Sequence, residues 1–325
     1  MAEYKDIRGL RVKYLSADPS NPETGEVWYN SSSATLKTYI MAPGTVAAGG
    51  APGGSGGKSQ LGGCGTVTAG LMFGGEPTTT ATEEYNGTAW ANVNAAPTGG
   101  TDMGSAGTQT SGLWVGGTGT TGNSYEYDGT NWGSTATLGT AVRFAVGTCG
   151  TQTAAMLTGG YLTPGTPTNI MQSYDGSSWT TIPQTFPTGN ATPGFRTSGI
   201  QTAIVAAGGP VPSGNNVATE LWDGSSWTAV NNLGIGLSAG TQQGTTSATV
   251  LMSGHPASPP SYGVEIQTWD GTDWSTSPAT LSTGRAQACG GGTTASMFIA
   301  NGAPGVDATE IYTGPALATR TLTTS

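Results

Sequence analysis

Histidine, cysteine and arginine are scarce enough in this chain to follow residue by residue. The single histidine, His255, cannot build a zinc or copper site alone, because such sites need several imidazoles or thiolates converging. No serine stands in a nucleophile-elbow context, so triad chemistry is not expected. Cys64, Cys149 and Cys289 form an odd set that fits three free, packed thiols better than a disulfide framework. Arg143, Arg196 and Arg285 are three of only five cations beyond residue 37. Converging on one face, they could grip a carboxylate bidentately, as an acidic-sugar site requires; the alternative is that each pairs with a local acid or carbonyl. Glu83, Glu220 and Glu310 share one register and read as ties to neighbouring backbone. A glycosidase needs two carboxylates across a cleft, one with a raised pKa, and the sequence places no such pair. No metal and no cofactor is expected.

These residues hang on a repeat. Five segments share an aromatic, Asp or Asn, Gly, Thr or Ser, any residue, then Trp, ending at Trp90, Trp132, Trp179, Trp227 and Trp274, with spacings of 42, 47, 48 and 47. Their glycines are Gly87, Gly129, Gly176, Gly224 and Gly271, and a worn sixth copy runs from Glu310 to Gly314. Before each lies a short apolar run ending in a Gly pair, as in Leu71-Met72-Phe73-Gly74-Gly75, with two worn copies at His255 and Gly302. The runs predict buried strands. Asp-Gly or Asn-Gly between aromatics predicts a hairpin turn, since glycine takes positive φ at little steric cost. At about 46 residues per unit, four strands fit each one. Six such sheets set radially bury their faces against each other, which predicts an all-β propeller of about six four-stranded blades, with seven as the alternative. In this register the cysteines occupy one small-residue slot, held elsewhere by Ala106, Ser198 and Ala239. Residues 26–325 are assigned to the propeller, and the segment around 34–41 is expected to close its last blade.

Composition narrows the rest. The 325 residues include 55 Gly and 19 Pro, yet only 9% are charged, so the high-charge signature of disorder is absent and periodicity decides for a fold. Ten Lys+Arg against nineteen Asp+Glu give net −9, which argues against a phosphate-tracking nucleic-acid binder. No apolar run reaches the roughly 20 residues that span a bilayer, and the first residues lack a signal-peptide stretch; no membrane insertion is expected. Residues 1–37 hold five cations and five acids, while the remainder carries the whole −9. Leu10, Val12 and Tyr14 alternate with Arg11 and Lys13, a strand-like pattern outside the repeat. Residues 1–25 are therefore read as a docking arm, with Lys5, Arg8, Leu10, Arg11, Val12, Lys13 and Tyr14 as its contacts.

Apolar run, Gly pair, acid, aromatic and spaced Trp, as in Leu71 to Gly75, Glu83, Tyr85 and Trp90, resemble the kelch repeat over about residues 58–314. Kelch propellers include copper-radical galactose oxidases, whose Tyr, His and Cys ligands one histidine does not supply. The uniform Thr- and Gly-rich copies, with the leader Asn21-Pro22-Glu23-Thr24-Gly25-Glu26-Val27-Trp28-Tyr29-Asn30, look like kelch-like virion proteins of tailed bacteriophages, especially those of marine cyanobacteria. That resemblance implies a non-enzymatic, multi-copy tail-fibre, appendage or decoration protein. It would be assembled in the host cytoplasm, docked on other virion proteins and displaying a propeller to host-surface carbohydrate. The alternative is a propeller glycosidase or sialidase acting on host sugars: Ser173 to Trp179, SYDGSSW, resembles the sialidase Asp box, without the residue that normally separates its Asp and Gly.

Overall fold

The structure, a computed structural model, describes residues 12–53, 57–118, 122–144, 147–162, 166–187, 194–211, 214–215, 217–256 and 261–322, and no helix occurs among them. Two compact units form, a large one spanning Val46–Thr313 and a smaller one built from the two chain ends.

The large unit is a six-bladed β-propeller. Blade 1 consists of Gly62–Thr66, Ala69–Phe73, Thr82–Tyr85 and Trp90–Asn92, hydrogen-bonded in chain order. Blades 2 to 5 repeat this pattern with innermost strands Gly104–Thr108, Thr148–Thr151, Arg196–Ile200 and Thr241–Thr245. Blade 6 takes Cys289–Gly292, Ser296–Ala300 and Thr309–Thr313 from the C-terminal side and its outer strand, Thr45–Ala48, from the N-terminal side. The ring closes where Gln60 N donates to Gln287 O at 2.7 Å.

The five hairpin turns form as the sequence predicts. Asn86, Asp128, Asp175, Asp223 and Asp270 each accept two backbone N–H groups on Oδ1 at 2.7–2.9 Å. The glycine that follows each sits at φ between +91° and +99°, a conformation other residues enter only with strain. The two aromatics of each motif meet across the hairpin with ring centroids 4.9–5.6 Å apart. The worn Gly pairs keep the backbone of the intact ones, with Ser253 at φ +62° and Asn301 at +57°.

Each motif Trp also reaches into the preceding blade. Trp132 Nε1 donates to Thr82 Oγ1 at 2.9 Å, Trp179 to Ser124 Oγ at 3.1 Å, Trp274 to Thr219 Oγ1 at 2.8 Å and Trp90 to Thr309 Oγ1 at 2.8 Å, while Trp227 meets Met171 Sδ at 3.2 Å. These acceptors occupy one register, opposite the last residue of the second strand. In blade 5 that position is Ile266, which has no acceptor, and the blade that would address it, blade 6, has no Trp. A second tie runs through Gln109, Gln152 and Gln201, whose side-chain amides donate to two carbonyls of the preceding blade at 2.5–3.1 Å.

The ring is closed by Thr45–Ala48 and not by the segment around 34–41. That segment lies in Thr35–Ala42, which pairs instead with Val27–Asn30 and Ala316–Thr321 in the smaller unit. Trp28, whose surroundings look like a repeat turn in sequence, hydrogen-bonds Asp18 Oδ1 at 3.0 Å. The propeller thus spans residues 46–313 rather than 26–325. In the smaller unit Lys13–Leu15 lies parallel to Val27–Asn30, Lys13 pairs with Glu26, and Tyr14 stacks on Tyr29 at 5.2 Å. Lys5, Arg8, Leu10 and Arg11 fall outside the described residues.

An indole hydrogen bond to a buried hydroxyl contributes about 1 kcal/mol. A double-mutant cycle of Trp132→Phe with Thr82→Val in denaturant titrations is expected to return a coupling of roughly 0.5–1.5 kcal/mol; additive effects would show that this bridge does not join the blades.

Candidate functional site

At one end of the innermost strands, one residue per blade turns left-handed: Gln60, Asp102, Phe144, Gly194, Ala239 and Gln287, the five non-glycines at φ +54° to +59°. Backbone hydrogen bonds chain them around the axis: Asp102 N to Gln60 O at 3.0 Å, Gln60 N to Gln287 O at 2.7 Å, Gln287 N to Ala239 O at 2.8 Å and Ala239 N to Gly194 O at 2.7 Å. A bulky or charged residue held left-handed costs of order 1 kcal/mol or more, and such strain concentrates at functional positions.

Asp102 is the one acid in this ring and is only 7% exposed. Burial pushes its carboxyl up to about 6, against the opposing pull of Arg196, Arg143 and a Thr101 hydrogen bond, while the exposed Glu76 pushes it further up. Arg196 opens the innermost strand of blade 4. Its Nε donates to Gly240 O, and burial draws its guanidinium down to about 10 while Asp102 works against that fall. Arg143 lies one residue before the ring, its guanidinium 4.9 Å over the Phe144 ring. Its backbone exchanges two 2.9 Å hydrogen bonds with Tyr161, and its Nε is buried without a partner. A carboxyl that burial lifts to about 6 thus feels the charge of two guanidiniums, one of which has a donor to spare.

The structure brings together two of the three arginines and separates the third. Arg285 is fully buried, ion-paired with Glu310, and donates to Ala308 O at 2.9 Å and Asn301 O at 3.4 Å. Its register is one residue earlier, matching Lys58, which pairs with Glu83 at 3.3 Å in blade 1. Arg285 is therefore a strut of blade 6 and no ligand contact.

Two of the register-locked acids, Glu83 and Glu310, tie backbone, as read from sequence. Glu83 Oε2 accepts from Gly53 N at 2.7 Å and Glu310 Oε2 from Ser282 N at 2.7 Å. Gln172 and Gln267 clamp Thr140 and Ile235 in the same way. Glu220 is 8% exposed and burial raises its carboxyl. His255 stands in an isolated β-bridge opposite Ser238, its Nδ1 at 2.8 Å from Ser261 O. All three cysteines are free and buried, with burial pushing Cys64 and Cys149 up to about 12. Cys289 leaves their shared slot: it faces Ala300, two positions away from the slot in which Cys64 faces Leu71 and Cys149 faces Met156. Among the described residues no group of three His, Cys, Asp or Glu could hold a metal ion. Asp102 escaped the sequence reading, although alignment of the ring positions, Gln60 and Gln287 included, would have marked it as the one acid there.

No protein-family model and no curated protein matches the chain. The solved structure titled "Structure of YjhT" is similar in fold at a TM-score of 0.63 and 14% identity, covering 85% of this chain and 99% of that one. This likeness supports the propeller. It also corrects the expectation that the chain is not an enzyme, which drew on a likeness to virion proteins: the propeller matched is YjhT, and that ground falls away.

The raised Asp102 pKa means that the folded state holds a proton the unfolded state has released between about pH 4 and 6, so stability must fall as pH rises through that window. Thermal and denaturant unfolding at stepped pH should show a loss of roughly 2–3 kcal/mol across it that Asp102→Asn removes; identical pH profiles for both proteins would place the Asp102 carboxyl in an ordinary environment.

Proposed function

We propose that the axial cluster binds the carboxylate of an acidic sugar and serves hydrolysis of its glycosidic bond. The observation that carries this reading is the buried Asp102, its carboxyl lifted to about 6 by burial and acted on by the charges of Arg196 and Arg143, the latter with an unpartnered Nε. Planar guanidiniums suit bidentate capture of a carboxylate, and in a chain of net −9 they supply a local positive spot for an anion. An acid with a pKa near 6 can deliver a proton to a leaving oxygen at neutral pH and take one back. Glu76, exposed on the same rim and electrostatically linked to Asp102, is the second carboxylate that glycoside hydrolysis commonly uses.

With a fluorogenic sialoside as substrate, Arg143→Ala and Arg196→Ala are each expected to lower kcat/KM at least about 100-fold, and the wild-type profile to fall above about pH 6 as Asp102 loses its proton. A parent protein that leaves the sialoside intact would end this reading.

A second reading concerns where the site is carried, and a separate observation favours it. Six of the seven large apolar side chains standing exposed among the described residues lie in the small terminal unit: Val12, Tyr14, Ile40, Met41, Leu317 and Leu322, with Tyr14 at 75%. Exposed apolar clusters mark interaction surfaces, so we propose that this unit docks on another virion protein. Mass spectrometry of intact particles should find the protein at fixed stoichiometry and find Tyr14→Asp or Met41→Asp variants missing; equal incorporation of the variants would remove the terminal unit from the interface.

A further inference from the structure

The innermost strands are edge strands, each bonded only to the second strand of its own blade. Their other edges surround an axial channel. Below the Asp102 ring the channel is narrow, about 70 Å³, and Arg196 lines it. At the opposite end, five residues and roughly 16 Å along the strands, it widens into a second cavity of about 300 Å³, the lower limit of ordinary small-molecule sites. Among the described residues no charged side chain lines this wide end.

Three observations make it more than a gap. First, its wall carries six left-handed glycines, Gly65, Gly107, Gly150, Gly199, Gly244 and Gly292, at φ +97° to +143°. A Cβ on any of them would come within 2.0–2.3 Å of a backbone carbonyl oxygen. Second, the repeat is broken at one point. Cys64, Ala106, Cys149, Ser198 and Gly291 hold the matching register in five blades, and blade 5 has Gln243 there, not Ala239 as the sequence spacing implied. Gln243 lines both parts of the channel, and no described residue hydrogen-bonds its amide. Third, Thr197, in a side chain 7% exposed, lines this wall with its hydroxyl hydrogen-bonded to the neighbouring Cys149 thiol.

We propose that this cavity is a second binding site, separate from the Asp102 cluster, for a small uncharged polyhydroxylated ligand of the neutral monosaccharide class. An amide offers one acceptor and two donors, and hydroxyls and strand-edge peptide groups offer both. This set matches a ring of sugar hydroxyls, and the lack of any charge disfavours an ion, whose burial would go uncompensated.

Saturation-transfer NMR with glucose, galactose, mannose, fucose and sorbitol tests the site. At least one of these is expected to bind the intact protein. Gln243→Ala should weaken it about tenfold or more, and Thr245→Trp, an exposed position at the mouth, should abolish it. Both variants should keep the wild-type melting temperature, and Asp102→Asn should keep the sugar affinity even if it loses all hydrolysis. The proposal is overturned if none of the five binds, since the cavity then holds water alone. It is equally overturned if Gln243→Ala retains full affinity, or if Asp102→Asn removes binding, which would move the sugar to the other end of the channel.

Discussion

The chain of backbone hydrogen bonds around the axis is the constraint on which the rest depends. Each blade is too small to bury both faces alone, so its position is defined only through its neighbours. At the axis that definition is made by N–H groups of left-handed residues donating to the carbonyl of the residue one blade before. The same bonds fix Asp102 against solvent, with Arg143 and Arg196 carried in by blades 3 and 4. The blades themselves bring these side chains to the axis, as preorganisation requires. Farther out the indole bridges perform the same service at larger radius.

In a chain with so few charges, the distinction between closed and open pairs is informative. Lys58 with Glu83 and Arg285 with Glu310 are closed and buried, and Arg285 also donates to backbone carbonyls. Such pairs add little net stability for the desolvation they incur, but they fix the geometry of the first and last blades. In blade 3 the register of Glu83 is held by the neutral Gln172, and the charge that acts on Arg196 is that of Asp102 from another blade, which burial discourages from ionising. This imbalance of two cations around a reluctant anion sets the cluster apart from the struts.

What could be read in the sequence was whatever recurred. The turn motif, its glycines, the apolar strands and the acids at Glu83 and Glu310 repeat in register, and each took the predicted role because the same local physics acts in every blade. Features carried by a single blade stayed hidden. Thr45–Ala48 has neither Trp nor turn, so nothing announced it as the closing strand, while Trp28 beside Asn30 imitated a repeat and drew the assignment to the wrong segment. Arg285 looked equivalent to Arg143 and Arg196 because offsets of one and four residues relative to the left-handed ring disappear among loops of unequal length. The Thr-Gln-Thr turns at Gln109 and Gln152 did recur, but their tie to the neighbouring blade became visible only once the blades stood side by side.

Blade 6 draws strands from both sides of the repeat array, and this has a consequence for synthesis. Thr45–Ala48 leaves the ribosome about 265 residues before its partner Thr309–Thr313. At translation speeds of 5–20 residues per second it waits roughly 13 to 50 s. Through that interval five blades can form in vectorial order while one nascent strand stays unpaired. The finished circle is therefore a late event, and the emerging polypeptide must shelter that lone strand from neighbouring chains until Thr309–Thr313 arrives.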